Sequence, residues 1–264
     1  MKKALTIAGS DSGGGAGIQA DLKTFTAFGV FGTSAITALT AQNTTGVQGI
    51  HEVDSEFVRQ QITSVLDDIG TDAVKTGMLV NPRIVKVVAK TVREYRLKNV
   101  VVDPVMIAKS GDSLLSEEAC KTVIDELIPL SLVITPNIHE AEAMLGKVIK
   151  TRDDMKEAAK DIKDMGCKWV IIKGGHMDDS MATDVVYNGT EFFLLSEPRH
   201  DTKNSHGTGC TFSSAIAAGL AKGYSPLKAI QQAKAFVSMA IKEAVDIGKG
   251  HGPTNHFAGT KTSW

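Results

Sequence analysis

The chain has 264 residues, and its 29 Lys and Arg residues against 30 Asp and Glu residues give a formal net charge of −1 at pH 7. This balance argues against a nucleic-acid-binding protein and against a protein that docks on anionic membranes, because both classes need a surplus of positive charge. Hydrophobic residues make up 42% and charged residues 22%, which excludes a mainly disordered chain and is typical of a globular protein.

Short β-branched runs alternate with amphipathic segments along the chain. Strands are predicted at 4–8, 34–41, 73–75, 100–102, 132–134 and 169–173, followed by a hairpin of 184–187 and 191–195 around Asn188-Gly189. Helices are predicted from about 18, at 56–69, 82–95, 117–128, 138–145 and 153–165, and finally at 209–222 and 226–245.

This alternation predicts an α/β fold with a mostly parallel sheet that carries helices on both faces. No linker, repeat or low-complexity stretch interrupts the pattern, so we expect one domain over residues 1–264. In such sheets ligands bind beyond the carboxyl ends of the strands. The residues that directly follow each strand are therefore the candidates for a functional site.

Cys120, Cys167 and Cys210 are the cysteines of the chain, and no C-x-x-C spacing occurs. An odd number of cysteines argues against a disulfide framework and favours a reducing, cytoplasmic location. The apolar run after Met1 is too short for a signal peptide, and no apolar run approaches the roughly 18 residues of a membrane span. We therefore expect a cytoplasmic protein.

Glycine is the one compositional excess, with 25 of 264 residues, and it is concentrated in loops that follow strands. The 9–17 loop (GSDSGGGAG) contains Gly15-x-Gly17-x-x-Ala20, which matches the dinucleotide-binding fingerprint. The acidic residue that this fingerprint requires about 20 positions later is missing, and no P-loop motif occurs, so both nucleotide-binding folds are rejected. A single tight turn needs fewer glycines, and we interpret this loop as backbone that a ligand approaches closely.

A second glycine-containing loop, 204–211 (NSHGTGCT), precedes a helix rich in small residues. Free N–H groups at a helix start, with glycines that let a ligand approach, form an anion site. The alternative is a helix capped by a Ser or Thr side chain, which would explain Ser205 or Thr208 but not both Gly207 and Gly209.

The two loops belong to a set of motifs that spans nearly the whole chain and resembles the bacterial hydroxymethylpyrimidine/phosphomethylpyrimidine kinases of the ribokinase-like superfamily. The motifs are ALTIAGSDSGG from Ala4, QADLKT from Gln19, AQNT from Ala41, KTGML from Lys75, DPVM from Asp103, TPN from Thr135, KGGH from Lys173, HGTGCT from His206 and HGPTNHF from His251. The resemblance implies a three-layer α/β/α ribokinase-like fold, ATP and Mg²⁺ as cofactors, a homodimer and a small-molecule pyrimidine substrate. The implied activity is phosphorylation of 4-amino-5-hydroxymethyl-2-methylpyrimidine and then of its monophosphate, in thiamine biosynthesis.

For phosphoryl transfer, the helix start at Gly207, Thr208, Gly209 and Cys210 is expected to hold the transferring phosphoryl group, and Lys173 to supply a positive charge to ATP. Most ribokinase-like kinases carry Asp where this chain has Cys210. A helix N-terminus lowers a thiol pKa, so we expect Cys210 to act as a weak base or to orient the substrate. A loose transition state needs little base strength.

Asp103 and Glu140 are the expected Mg²⁺ residues, acting through water, and Asn137 joins Lys173 and Thr208 as an expected ATP-binding residue. The Asn137-x-x-Glu140 spacing is also that of a capping box, which competes for the Glu140 carboxylate. The Gln42 side-chain amide offers a donor and an acceptor together, which match the ring nitrogen and amino group of an aminopyrimidine.

The resemblance assigns Gln42 to the pyrimidine and adds Ala16, Asp21, Met78 and Val105 to the lining of its pocket. Asp21 has an alternative position as a first-turn acid that favours the helix dipole. Met78 and Val105 are equally compatible with the hydrophobic core.

Four other functions stay open or are weighed. A pyridoxal kinase of the same fold would phosphorylate a similar hydroxymethyl heteroaromatic, although Gln42 and the GTGC motif favour the pyrimidine. A cysteine hydrolase would use Cys210 with His206 or His176. A nucleotide sensor would bind ATP without turnover. A zinc site is disfavoured, because the histidines of the 251–257 motif have no metal-type spacing with any Cys.

Overall fold

The computed structural model describes residues 1–106, 116–175 and 180–259. Within these residues nine strands form one sheet. They are β1 (Lys3–Asp11), β2 (Phe31–Asn43), β3 (Gly46–Glu52), β4 (Ala73–Thr76), β5 (Val100–Val102), β6 (Val133–Ile134), β7 (Trp169–Ile172), β8 (Met181–Tyr187) and β9 (Phe192–Pro198).

The helices of the described residues connect these strands. They are α1 (Gly17–Ala27), α2 (Ser55–Asp68), α3 (Pro82–Glu94), α4 (Glu117–Thr122), α5 (Ile138–Leu145), α6 (Arg152–Asp164), α7 (Thr208–Ala221) and α8 (Pro226–Lys242). Side-chain caps define several starts, such as Asn81 before Pro82 in α3 and Ser225 before Pro226 in α8. None of these helices is long and apolar enough to cross a membrane.

The sheet order is β3-β2-β1-β4-β5-β6-β7-β8-β9. The pairings from β2 through β7 are parallel, while β3, β8 and β9 pair antiparallel at the two edges. Because β2 and β4 lie on opposite sides of β1, the strand order reverses at β1. A crevice opens at such a switch point, beyond the carboxyl ends of the strands.

Helices cover both faces of the sheet. On one face, alternate strand residues such as Ile7 and Val102 pack with α2 through α6, and on the other face residues such as Val101 and Ile171 pack with α1, α7 and α8. This alternation follows from the two-residue side-chain period of a strand. The predicted three-layer α/β/α fold with a mostly parallel sheet is confirmed.

Three details differ from the sequence predictions. β3 was not predicted, because every one of its residues is at least partly exposed and the segment therefore lacks buried alternation. The hairpin loop has four residues rather than the three between the predicted strands, since Tyr187 pairs with Phe192 and the Asn188 side chain accepts the N–H of Glu191. The helix predicted at 117–128 is α-helical only to Thr122 and continues as a π turn and a 3₁₀ turn around Pro129, whose missing N–H interrupts the regular ladder.

Candidate active site

A cavity of about 800 Å³ lies at the carboxyl edge of the sheet. Consecutive parallel strands deliver its polar groups, because Asp11 ends β1, Lys75 lies in β4, Asp103 follows β5, Asn137 follows β6 and Lys173 follows β7. Apart from Asp21, the predicted site residues all line this cavity: Ala16, Gln42, Met78, Asp103, Val105, Asn137, Glu140, Lys173, Gly207, Thr208, Gly209 and Cys210. The tertiary structure therefore brings together residues that are far apart in the chain.

The first turn of α7 faces this cavity with its backbone N–H groups. Gly207 is the N-cap residue, at φ +79°, and within the described residues no side chain caps this helix. The Thr208 hydroxyl donates instead to the carbonyl oxygen of Ser205, 2.7 Å away. The alternative of a Ser- or Thr-capped helix is therefore wrong. The Thr208 N–H makes only a long contact with the Ser205 carbonyl, at 3.4 Å, and no side chain of the described residues competes with an anion for the first-turn N–H groups.

Gly15 and Gly207 each pack against the opposite glycine loop. A Cβ atom on Gly207 would overlap the carbonyl oxygen of Gly15, and a Cβ on Gly15 would lie 2.5 Å from Cδ2 of His206. Gly209 differs, because a Cβ there would lie 3.5 Å from Lys173 Nζ and 3.7 Å from Asp103 Oδ2. Packing against His206 thus explains why Gly15 lacks a side chain, whereas Gly209 opens towards the cavity. The close approach of a ligand to the 9–17 loop stays a prediction.

Lys173 lies between two carboxylates opposite the α7 N-terminus. Its Nζ is 3.3 Å from Asp103 Oδ1 and 3.9 Å from Glu140 Oε2. Burial alone would lower the pKa of Lys173, but the two carboxylates raise it above its ordinary value, so the ammonium stays charged. Asp103 is also held by the hydroxyl groups of Thr135 and Ser213, which donate to it at 3.3 and 3.2 Å.

Glu140 forms the capping box that its spacing predicts. The Glu140 N–H donates to Asn137 Oδ1 at 2.9 Å, and the Asn137 N–H donates to Glu140 Oε2 at 2.8 Å. Burial raises the pKa of Glu140, against the opposing effect of the Lys173 charge. The cap occupies Oε2, and the contact of Oε1 with the Met106 N–H is long, at 3.4 Å, so Oε1 can still accept from a water.

Among residues 1–106, 116–175 and 180–259, no cluster of three or more His, Cys, Asp or Glu side chains could hold a metal ion by itself. Asp103 and Glu140 supply only two carboxylates, and both contact Lys173. This donor set fits a hard cation such as Mg²⁺, which keeps several waters and takes its remaining ligands from substrate phosphates.

Asp21 does not contribute to the cavity wall in the way that the sequence analysis expected. Its carboxylate lies under the cavity with no exposure to solvent, where Lys75 Nζ donates to both oxygens at 2.9 and 2.8 Å. The hydroxyl groups of Thr6 and Ser214 also donate to it, at 2.6 and 2.5 Å. The expectation that Asp21 contacts substrate is corrected, because its acceptor sites are directed at these buried groups. In the sequence, the lysine within the apolar strand AVKT, which is β4, indicates that a buried acidic side chain pairs with it.

Cys210 is partly exposed at the third residue of α7. Burial raises the pKa of its thiol to about 11, although the Lys75 charge and the Gly17 N–H oppose the shift. The expectation that the helix N-terminus lowers this pKa is wrong, because desolvation and two neighbouring carboxylates outweigh the helix dipole. At neutral pH the group is a protonated thiol, which argues against both a thiolate nucleophile and a general base. The other hydrolase partner considered, His176, lies outside the described residues.

Sequence analysis missed a hydrogen-bonded group at the opposite end of the cavity. His206 Nε2 lies 2.8 Å from Asp11 Oδ2 and 3.3 Å from Gln42 Nε2. Asp11 also accepts N–H groups of the 9–17 loop, from Gly13, Gly15 and Ala16 at 2.8, 3.1 and 2.8 Å. These contacts join the two glycine loops beside the predicted substrate residue Gln42.

The 251–257 motif forms backbone hydrogen bonds to the second glycine loop, residues 204–211. The His206 N–H donates to the Gly252 carbonyl at 3.0 Å, and the Thr254 N–H returns to the His206 carbonyl at 3.3 Å. The His251 N–H donates to the carbonyl of Thr44, at the end of the Gln42 strand, at 2.8 Å. The segment therefore ties the anion loop to the strand that carries Gln42.

Comparison with known proteins covers the whole chain. The family model for phosphomethylpyrimidine kinase matches residues 11–255. A hydroxymethylpyrimidine/phosphomethylpyrimidine kinase of Bacillus subtilis is 53% identical over 262 residues, which are 99% of this chain and 97% of that protein. A pyridoxine kinase of the same organism is 46% identical over 263 residues, covering 98% and 97% of the two chains. The pyridoxal kinase from Staphylococcus aureus, solved in complex with AMP-PCP and pyridoxal, has a TM-score of 0.92 at 38% identity, covering 99% of this chain and 95% of that one.

Proposed function

The chain belongs to the phosphomethylpyrimidine kinase family, and we propose that it transfers phosphate from ATP to 4-amino-5-hydroxymethyl-2-methylpyrimidine and then to the monophosphate, in thiamine biosynthesis. One observation carries the proposal: the uncapped N-terminus of α7 faces Lys173 and Asp103 in a cavity that Gln42 also lines. The proposal assigns residues 1–264 to one kinase domain, since a single sheet carries helices on both faces.

In the proposed reaction the substrate hydroxyl oxygen forms a bond to the γ-phosphorus, the bond to the β-phosphate oxygen breaks, and ADP and a proton leave. The charge that develops on the transferring group is stabilised by the first-turn N–H groups of α7. The Lys173 ammonium stabilises the same charge from the opposite side. Because the transition state is loose, a strong base is not required, and the protonated Cys210 thiol orients the hydroxyl rather than deprotonating it.

Mg²⁺ would be held by Asp103 and Glu140 through water, together with the phosphates of ATP. When bound, it neutralises phosphate charge and aligns the β- and γ-phosphates. The chain's own contribution is to hold the Asp103 carboxylate beside Lys173 and to hold Glu140 in the capping box. Thr208 and Asn137 complete the ATP side of the proposed site.

The pyrimidine is placed at the other end of the cavity, between Gln42 and the apolar side chains of Met78 and Val105. Gln42 supplies a donor and an acceptor to the ring nitrogen and the amino group. Ala16 leaves room for the ring at the start of α1. A homodimer and a cytoplasmic location stay predictions.

The test is product analysis by mass spectrometry after incubation with the pyrimidine and Mg-ATP. We expect the monophosphate first and then the diphosphate. Lys173→Ala and Cys210→Ala should lose most of this activity while keeping the circular dichroism spectrum of the wild type. The matched control for a lost lysine is Lys156→Ala, a partly exposed residue of α6 outside the cavity lining that pairs with Asp153. A wild-type protein that binds ATP but forms no phosphorylated pyrimidine would contradict the proposal and support a nucleotide sensor.

The second candidate is a pyridoxal kinase, which the 46% identical pyridoxine kinase favours. Measuring kcat/KM for pyridoxal and for the hydroxymethylpyrimidine on the same preparation separates the two. A clearly higher kcat/KM on pyridoxal would replace the main proposal.

A further inference from the structure

The side-chain amide of Gln42 is held at both of its ends. Its Oε1 lies 3.1 Å from Thr40 Oγ1, and its Nε2 lies 3.3 Å from His206 Nε2. All three side chains line the cavity. The two ends of an amide have nearly the same shape, so the proton count of the neighbouring groups decides which end is oxygen.

The His206 end offers a donor and no acceptor to the Gln42 amide. His206 Nε2 lies 2.8 Å from Asp11 Oδ2. Burial raises the pKa of Asp11, but the His206 contact and the backbone N–H groups of the 9–17 loop outweigh it and lower the pKa overall, so Asp11 is an ionised carboxylate that only accepts. His206 Nε2 therefore carries a proton. An amide NH₂ group at 3.3 Å from it would place two donors face to face.

The Thr40 end offers an acceptor to the Gln42 amide. Thr40 Oγ1 lies 2.9 Å from the carbonyl oxygen of Ser10 and 3.1 Å from the Gln42 amide, and we assign its single proton to the shorter contact. The hydroxyl then presents lone pairs to Gln42. An amide oxygen at that end would place two acceptors face to face, whereas an NH₂ group would donate to Thr40.

We propose that the Gln42 side-chain amide is rotated by 180° relative to the contacts given above, so that its oxygen faces His206 and its NH₂ group faces Thr40. This lock makes the cavity select a 4-aminopyrimidine over a 4-oxopyrimidine. His206, held by Asp11, and Thr40 are then positioning residues that act through Gln42. The single Nε2 proton of His206 is shared between Asp11 at 2.8 Å and, over the longer distance of 3.3 Å, the amide oxygen. The amide NH₂ group donates to Thr40, and the Thr40 hydroxyl donates to the Ser10 carbonyl.

The locked amide still has hydrogen-bonding capacity for a ligand. An amide has two N–H protons and two oxygen lone pairs, and the protein takes one of each. The remaining pair matches a 4-aminopyrimidine, whose amino group donates and whose adjacent ring nitrogen accepts. A 4-oxo analogue has the reverse pattern, and Gln42 could meet it only by rotating and losing both contacts at once. The choice of substrate here rests on the proposed function, whereas the amide orientation does not.

The first test compares kcat/KM for the 4-amino substrate with kcat/KM for its 4-oxo analogue. We expect a wild-type preference of about 100-fold or more, because a site built to hydrogen-bond its substrate rejects a mismatched analogue strongly. His206→Phe keeps the ring volume and removes the donor, so the amide can rotate and the preference should fall about tenfold or more. Loss of packing in the 204–211 loop lowers kcat/KM for both substrates, and this effect cancels in the ratio of the two values. His251→Phe, an exposed histidine outside the cavity lining, is the matched control and should keep the wild-type ratio.

An unchanged ratio in His206→Phe, with equal losses on both substrates, would overturn the specificity lock. The second test is independent of activity. In the NMR spectrum of the wild-type protein, the NH₂ protons of Gln42, assigned by their loss in Gln42→Leu, should show nuclear Overhauser contacts to the Thr40 methyl group. Contacts to the His206 ring instead would overturn the amide orientation. If the wild type phosphorylates neither pyrimidine, the proposed function fails, while the NMR measurement still decides the orientation.

Discussion

Lys75 and Asp21 form an ion pair beneath the cavity floor, where Lys75 Nζ lies 2.8 Å from Asp21 Oδ2 and neither side chain is exposed. The pair joins β4 to α1. Burial would lower the pKa of Lys75, but the charge of Asp21 and other neighbouring groups raises it, so the ammonium stays charged. The pair is thus part of the scaffold beneath Cys210 rather than a contact for the pyrimidine.

The first prediction concerns this pair. Asp21→Asn keeps an acceptor oxygen for only one of Thr6 and Ser214, which donate to different oxygens of Asp21. It also leaves the buried Lys75 charge without its counter-ion, so the free energy of unfolding should fall by about 3–5 kcal/mol. Urea denaturation measures the change. Removing the exposed Lys2–Asp72 pair with Lys2→Ala should cost less than about 1 kcal/mol. Equal losses in the two variants would show that burial does not strengthen the Asp21 pair.

The second prediction concerns the Cys210 thiol, whose pKa is raised to about 11. Because only the thiolate reacts with iodoacetamide, the alkylation rate should rise about tenfold per pH unit between pH 7 and 9 without reaching a plateau. The rate is followed by mass spectrometry of the Cys210 peptide, with Cys210→Ser as the reference for reaction at the other cysteines. A plateau near neutral pH would instead indicate an activated thiolate and would revive the hydrolase hypothesis.

The third prediction separates two glycines of one loop. Gly209→Ala adds a methyl group that makes only ordinary contacts with the protein but projects into the space beside Lys173 and Asp103. We expect kcat to fall by about 100-fold, comparable to the loss of one oxyanion-hole donor, at nearly unchanged stability. Gly207→Ala combines a φ of +79° with overlap on the Gly15 carbonyl, so it should lose more than about 2 kcal/mol of stability. Thermal unfolding and steady-state kinetics on both variants provide the comparison, and a stable, inactive Gly207→Ala protein would contradict it.

The fourth prediction concerns His256, which is buried with its Nε2 3.0 Å from the Thr211 hydroxyl. Burial, together with the charge of Lys23, lowers the pKa of His256 from 6.5 to about 4. The folded state favours the neutral ring, so its contribution to stability is complete above about pH 6.5 and is lost as the pH falls towards 4. The loss should amount to about 3 kcal/mol over that window.

The measurement is urea unfolding of wild type and His256→Gln at several pH values between 4 and 7. Carboxylates also titrate in this range, so the difference between the two proteins isolates His256. The variant, whose amide can still contact Thr211, should show a shallower decline, while the exposed His51→Gln should keep the wild-type slope. Parallel curves for wild type and His256→Gln would show that the buried ring does not contribute to the pH dependence of the free energy of unfolding.

Several features of the site could be predicted from residues that are adjacent in the chain. The capping box of Asn137 and Glu140 depends on a three-residue spacing, and the start of α7 depends on its small residues and glycines. Both are local patterns, and the structure confirms them. The position of Asp103 at a strand end is predictable for the same reason.

Other features depend on residues that meet only after folding. Asp21 has the sequence context of an exposed first-turn acid, but β4 delivers Lys75 to it beneath the cavity. The pKa of Cys210 is set by burial and by charges from β4, α1 and β5, not by its own helix alone. The contact of Gly207 with the Gly15 carbonyl joins two loops that are almost the whole length of the chain apart.

By itself, the sequence determined the α/β class, the order of the helices and of every strand except β3, and the edge of the sheet where the candidate site residues gather. Hydrophobic periodicity and parallel-strand geometry depend on local patterns. Only the tertiary structure decided which glycines pack against protein, which carboxylate is buried and how the Gln42 amide is held. These properties depend on desolvation and on contacts across the sheet, which no local pattern records.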